Sequence, residues 1–177
     1  LVIISDYGHG FISNDNAKII CRNSKYLALN AQVNAANIGY HSMRKYNNID
    51  CVIINETELR HELRSKSEGI ESLMKELSFS RKIVTLIVTR GKNGSILYNR
   101  KENKFNYSEA FASNQVDKIG AGDAMLALSA LCLKAKLDKN LSLLLGSLAA
   151  AQSVETTGNK QSVNKAKILK HIENITK

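Results

Sequence analysis

The chain has 177 residues, 44% hydrophobic and 23% charged, the composition of one globular domain able to bury its own core rather than of a disordered chain. Its 25 basic and 16 acidic residues leave a net charge of +9, but they form no dense basic run and no interleaved aromatic stripe, so no nucleic-acid partner is expected and anionic, phosphate-bearing substrates are. No apolar run approaches a membrane span and the first residues do not resemble a signal peptide, so no membrane partner is expected and a cytoplasmic location is the default.

Leu1–Ile4 is a short apolar run closed by Ser5-Asp6-Tyr7-Gly8-His9-Gly10, which predicts a strand and a turn. Asn14–Cys21 has helical spacing, Tyr26–Leu29 is a second strand and Cys51–Ile54 a third, stopping at Asn55, a good helix cap. Glu56–Arg64 and Glu68–Leu77 predict helices, and Lys82–Val88 a strand buried on both faces. Ser95–Asn99 and Lys104–Ser108 suit antiparallel strands joined by a polar turn at Lys101-Glu102-Asn103. Two long apolar helices follow, Ala121–Ala135 and Leu141–Val154, then an amphipathic one over Asn164–Ile172. Strands alternating with helices predict one α/β domain over residues 1–177, with a mostly parallel sheet and helices on both faces.

Cys21, Cys51 and Cys132 are scattered and odd in number, which predicts reduced thiols rather than a disulfide frame or a zinc site. His41, His61 and His171 have no partner spacing for zinc. The chain opens on Leu1 inside an apolar strand, as expected of a piece of something longer. It has no proline, for which we have no functional reading.

Chemistry concentrates in Gly120-Ala121-Gly122-Asp123, at the start of a predicted core helix. Two glycines let the backbone come close to a ligand, and the first free N–H groups of a helix bind anions. One reading is a glycine-rich turn into a helix that Asp123 merely helps to start. The other joins an anion site to a carboxylate at one point, which suits transfer of a phosphoryl group to a hydroxyl. There is no Walker-type loop, GxSxG elbow or HExxH, which weighs against the corresponding nucleotidase, hydrolase and protease readings.

The run DKIGAGDAM resembles the C-terminal signature of the ribokinase-like (PfkB) carbohydrate kinases, D-T-x-G-A-G-D followed by a small residue and an aromatic one. That resemblance implies a three-layer, Rossmann-like αβα fold. It implies Asp123 as the base that deprotonates the sugar hydroxyl and Gly120, Ala121 and Gly122 as the anion hole. Asn55-Glu56-Thr57-Glu58 is similar to the family's N-x-x-E motif, so that Asn55 and Glu58 are expected to position magnesium through water and to serve the ATP phosphates. Thr89-Arg90-Gly91-Lys92-Asn93-Gly94 is similar to the T-x-G-x-x-G loop, which implies nucleotide contacts from Thr89, Gly91 and Gly94; Asp117 is counted with them. Ala149–Gly158 resembles the segment that lines the adenine pocket. The implied cofactors are ATP and Mg2+, with a monovalent cation as an option.

Ser5-Asp6-Tyr7-Gly8-His9-Gly10 resembles the S-D-Y-G-K-G run of the heptose-phosphate kinase branch, which points to a sugar or sugar-phosphate substrate and to Asp6 and His9 as its contacts. Four departures stand out. His9 replaces a permanent cation with a group mostly neutral near pH 7. Lys118 stands where threonine is usual and is expected to point into water. Met125 replaces an aromatic residue, a conservative packing change. Asn30-Ala31-Gln32-Val33-Asn34 stands where an aspartate is common, so contacts near Asn30 do not carry over. Nothing in the chain resembles the family's N-terminal sugar-recognition half. The expected partner is therefore an N-terminal sugar-binding part, fused or separate, with a homodimer as an option, and the fragment alone is expected to be a poor enzyme. The alternative is a catalytically degenerate domain that keeps the fold to bind nucleotide or a partner.

Overall fold

Among the described residues six strands form one sheet in chain order: β1 (Val2–Asp6), β2 (Leu27–Ala31), β3 (Cys51–Asn55), β4 (Thr85–Thr89), β5 (Ser95–Asn99) and β6 (Lys104–Ser108). The computed structural model describes residues 1–32, 43–112, 119–155 and 162–175. β1 to β4 run parallel, whereas β4, β5 and β6 pair antiparallel. The change of direction follows the connections. Helix α1 (Asn14–Asn23) joins β1 to β2, and α2 (Glu56–Leu63) with α3 (Ile70–Ser80) joins β3 to β4, while short turns join β4 to β5 and β5 to β6.

Alternate side chains of the central strands feed two separate cores. Leu29, Val52, Ile54, Leu86 and Val88 pack with Leu59, Leu73 and Leu77 of α2 and α3 on one face. Ala28, Cys51, Ile53, Ile87 and Leu97 pack on the other with Met125 and Leu126 of α4 (Ala121–Lys134) and Leu143 of α5 (Lys139–Val154). Burying one such Leu or Ile contributes about 1.5–3 kcal/mol, so two covered faces hold the sheet and fix where α4 begins. The last helix, α6 (Lys165–Ile175), packs on α5. The three-layer α/β architecture expected from the sequence is the one observed.

Polar caps set the starts of α1 and α5. Ser13 Oγ accepts from Asn16 N at 3.2 Å at the start of α1, and Asp138 Oδ1 accepts from Asn140 N at 2.8 Å at the start of α5. Among the described residues no helix is long and apolar enough to cross a membrane. All three cysteines are free, Cys51 and Cys132 buried and Cys21 partly so.

Candidate active site

Strand alternation decides what meets the start of α4. β1 continues past Ile4 to Asp6, so Ile4 and Asp6 face one way and Ser5 the other. Ser5 stands opposite Asn30 of β2, and Thr89 of β4 stands between Asn55 of β3 and Ser95 of β5. A cleft of 980 Å³ opens at these strand ends.

One side of the cleft is formed by Gly120, Ala121, Gly122 and Asp123. Gly120 is the N-cap of α4 with φ of 83°, a left-handed conformation that glycine adopts without strain. Gly122 is tightly enclosed for a different reason: a Cβ there would stand 3.0 Å from Asn30 Nδ2, which would have to shift. Asn30 is 4% exposed and lines the cleft, and among the described residues its Oδ1 has no hydrogen-bond partner.

Asp123 is held from β1. Ser5 Oγ donates to Asp123 Oδ1 at 2.6 Å, Tyr7 Oη donates to Oδ2 at 2.8 Å, and Gln32 Nε2 reaches Oδ1 at 3.5 Å. The bond to Asp123 is the main cause that pushes the Tyr7 phenol above its ordinary pKa. Sequence reasoning missed Ser5 and Tyr7 and singled out Asp6 and His9 instead. The Asp6 carboxylate turns to the opposite face, where it accepts from Tyr46 Oη at 2.7 Å and Gly8 N at 3.0 Å and pairs with Lys45 Nζ at 2.7 Å. Burial pushes the Asp6 carboxyl up, but the bonds from Lys45 and Tyr46 outweigh it and hold it below its usual range. His9 is exposed, with its ring stacked 6.5 Å from that of Tyr7. Neither Asp6 nor His9 lines the cleft. The missing signal was the length of β1: its continuation through Ser5 and Asp6 turns Ser5 to the α4 side and Asp6 away from it, and Tyr7 follows in the turn.

Asn55 and Glu58 both line the cleft and form a capping box. Asn55 Oδ1 accepts from Glu58 N at 2.8 Å, and Glu58 Oε2 accepts from Asn55 N at 2.8 Å. Among the described residues no group of three or more His, Cys, Asp and Glu is placed to enclose a metal ion. Thr89, Gly91 and Gly94 also line the cleft. Gly94, with φ of 76°, closes the β4–β5 turn and lies against β6: a Cβ on it would meet Ser108 O at 2.0 Å. Ala150, Ala151 and Val154 of α5, with Phe111, form an apolar end, and Met125 lies at the base, 1% exposed. Asp117, Lys118, Val33, Asn34, His41 and Gly158 lie outside the described residues.

Residues 15–166 match the family model described as pfkB family carbohydrate kinase, and the chain belongs to that family. Among curated proteins it is 27% identical over 162 residues to the bifunctional protein HldE of Campylobacter fetus, covering 90% of this chain and 34% of that protein. Among solved structures it is similar to Arabidopsis thaliana ribokinase complexed with ribose and ATP, with a TM-score of 0.72 at 22% identity, covering 89% of this chain and 50% of that one. It is also similar to Escherichia coli phosphofructokinase-2 in complex with potassium, with a TM-score of 0.78 at 14% identity, covering 99% and 57%. At these identities the structures establish a shared fold. The chain thus spans about a third of the curated relative and about half of each solved one.

Proposed function

We propose that the cleft binds ATP and transfers its terminal phosphoryl group to a hydroxyl of a sugar or sugar phosphate, a heptose phosphate foremost. The observation that carries this reading is the Asp123 carboxylate in the first turn of α4, beside the Gly120–Gly122 backbone and within one cleft with Asn55, Glu58, Thr89, Gly91 and Gly94.

In the step itself, Asp123 takes the proton of the acceptor hydroxyl as its oxygen bonds to the γ-phosphorus. The bond from that phosphorus to the bridging oxygen breaks, and ADP leaves. The Gly120, Ala121 and Gly122 backbone stabilises charge on the phosphoryl oxygens. The apolar end at Ala150, Ala151 and Val154 suits a flat base. Magnesium, when bound, neutralises phosphate charge. Glu58 and Asn55 would hold it through water, and one carboxylate with one amide fits an ion that keeps most of its hydration shell. Asp117 belongs to the same nucleotide side in this reading, a monovalent cation is an option, and Asp6 and His9 act through neighbours rather than from the cleft wall. The rest of the sugar pocket would come from a further part of the protein, in keeping with the share of its relatives that this chain spans.

The test mixes full-length protein with ATP, magnesium and a panel of sugars and sugar phosphates, and measures ADP. Acceptor-dependent ADP release is expected. Nucleotide binding with no ADP from any acceptor would instead favour a non-catalytic nucleotide-binding domain.

A further inference from the structure

The wall of the cleft between β3 and β4 carries a charged cluster that the transfer step does not use. Glu56, the first residue of α2, lies between two arginines. Its Oε1 accepts from Arg60 Nη2 at 2.8 Å and Nε at 3.1 Å, and its Oε2 accepts from Arg90 Nε at 3.1 Å. The Arg60 bonds lead the causes that hold the Glu56 carboxyl below its usual range. One carboxylate and two guanidinium groups leave one net positive charge on this three-residue cluster.

The two arginines differ in what remains unused. Arg60 also turns Nη1 to the carbonyl oxygens of Glu68 at 3.0 Å and Lys66 at 3.4 Å. Arg90 is engaged through Nε alone; among the described residues its Nη1 and Nη2 make no hydrogen bond. Yet Arg90 lines the cleft, and its backbone closes the β4–β5 turn through the bond from Arg90 N to Gly94 O at 2.8 Å. A guanidinium fixed through one nitrogen, with its two-pronged edge unpaired in a cleft, matches a phosphate group.

We propose that Arg90 binds the non-transferred phosphates of the nucleotide, oriented for that contact by Glu56. This deepens the nucleotide-binding reading above and rests on it. Placement favours the nucleotide over a phosphate on the acceptor. Asp123, which marks the acceptor end, is held by residues of β1 and the turn after it. β4 lies three strands along the sheet from β1, about 14 Å at ordinary strand spacing. Arg90 also stands between Thr89 and Gly91, two of the proposed nucleotide contacts.

The test is calorimetric titration of full-length protein and of Arg90→Gln with adenosine, ADP and glucose 6-phosphate. The dissociation constant for ADP is expected to rise by roughly tenfold or more, the scale of one charge-assisted hydrogen bond, while adenosine binds both proteins alike. Arg90→Lys, which keeps the charge without the fork, should fall between. An unchanged ADP constant overturns the assignment, as does an equal loss for adenosine, which would make the role structural. A loss confined to glucose 6-phosphate overturns it as well, because the arginine would then serve the acceptor. If the unmutated protein binds neither adenosine nor ADP, the nucleotide-binding reading itself fails, an outcome distinct from failure of Arg90 alone.

Discussion

The Asn30 side-chain amide reaches so close to the first turn of α4 that a Cβ on Gly122 would stand 3.0 Å from Asn30 Nδ2. β2 and α4 are therefore locked in register at the point where Asp123 projects. Gly122→Ala should destabilise the fold by about 1–2 kcal/mol despite alanine's better helix propensity, because the buried amide must move. In an Asn30→Ala background the same substitution should cost little. A double-mutant cycle by urea denaturation measures that coupling, and simple additivity would contradict the close approach.

Tyr7 should matter to turnover more than to stability. The residue is 44% exposed, and its hydroxyl donates to Asp123 Oδ2 at 2.8 Å. Tyr7→Phe should leave the melting temperature nearly unchanged and lower kcat about tenfold, the scale of one hydrogen bond to a charged group. Steady-state kinetics beside a thermal melt separates the two effects; an equal kcat would remove Tyr7 from any part in holding the base.

Asp6 predicts the reverse. Its carboxylate is 4% exposed and paired with Lys45 Nζ at 2.7 Å. Asp6→Asn leaves Lys45 without its counter-charge and should cost about 3 kcal/mol, as for other broken buried pairs. The pH dependence follows from the lowered carboxyl pKa. Stability from the ionised group is fully present above its ordinary value of 3.8 and is lost as pH falls through the lower folded-state value. Urea titrations at several pH values should therefore show the gap between the two proteins narrowing in acid. A gap independent of pH would contradict the pairing.

The thiols give a check on the two-faced sheet. Cys51 is fully buried in β3, and burial pushes its thiol up to about 12. It should stay unmodified by an aromatic disulfide reagent while the protein is folded, and Cys21, only partly buried, should react first. Mass spectrometry of the labelled peptides decides the order.

Much of this fold could be read from local pattern. β5 and β6 occupy the residues expected, because their alternation and the turn between them are local signals. Asn55 caps α2 as expected, and its box with Glu58 is a four-residue pattern. The failures have non-local causes. β1 was expected to stop before Ser5-Asp6, yet it continues because Lys45 and Tyr46, remote in sequence, satisfy the buried carboxylate. β4 begins at Thr85 rather than Lys82, since Lys82 adopts φ of 55° in the turn that precedes it and no glycine announces that turn. For the site, the resemblance to the carbohydrate-kinase motifs pointed to Gly120–Asp123, Asn55, Glu58, Thr89, Gly91 and Gly94, all of which line the cleft. Ser5, Tyr7 and Arg90 escaped notice because their side-chain contacts, with Asp123 and Glu56, join residues remote in sequence.

Asp123→Asn in the full-length protein tests the central claim most directly. The substitution keeps the size of the side chain, and its one amide oxygen can still accept from either Ser5 or Tyr7, but it removes the proton acceptor. Acceptor-dependent ADP release should fall by roughly 10²–10⁴-fold, the contribution of a single general base. ADP binding should remain within about twofold, well inside the tenfold step of 1.4 kcal/mol. Turnover retained at the unmutated rate would contradict the assignment of Asp123 as the base.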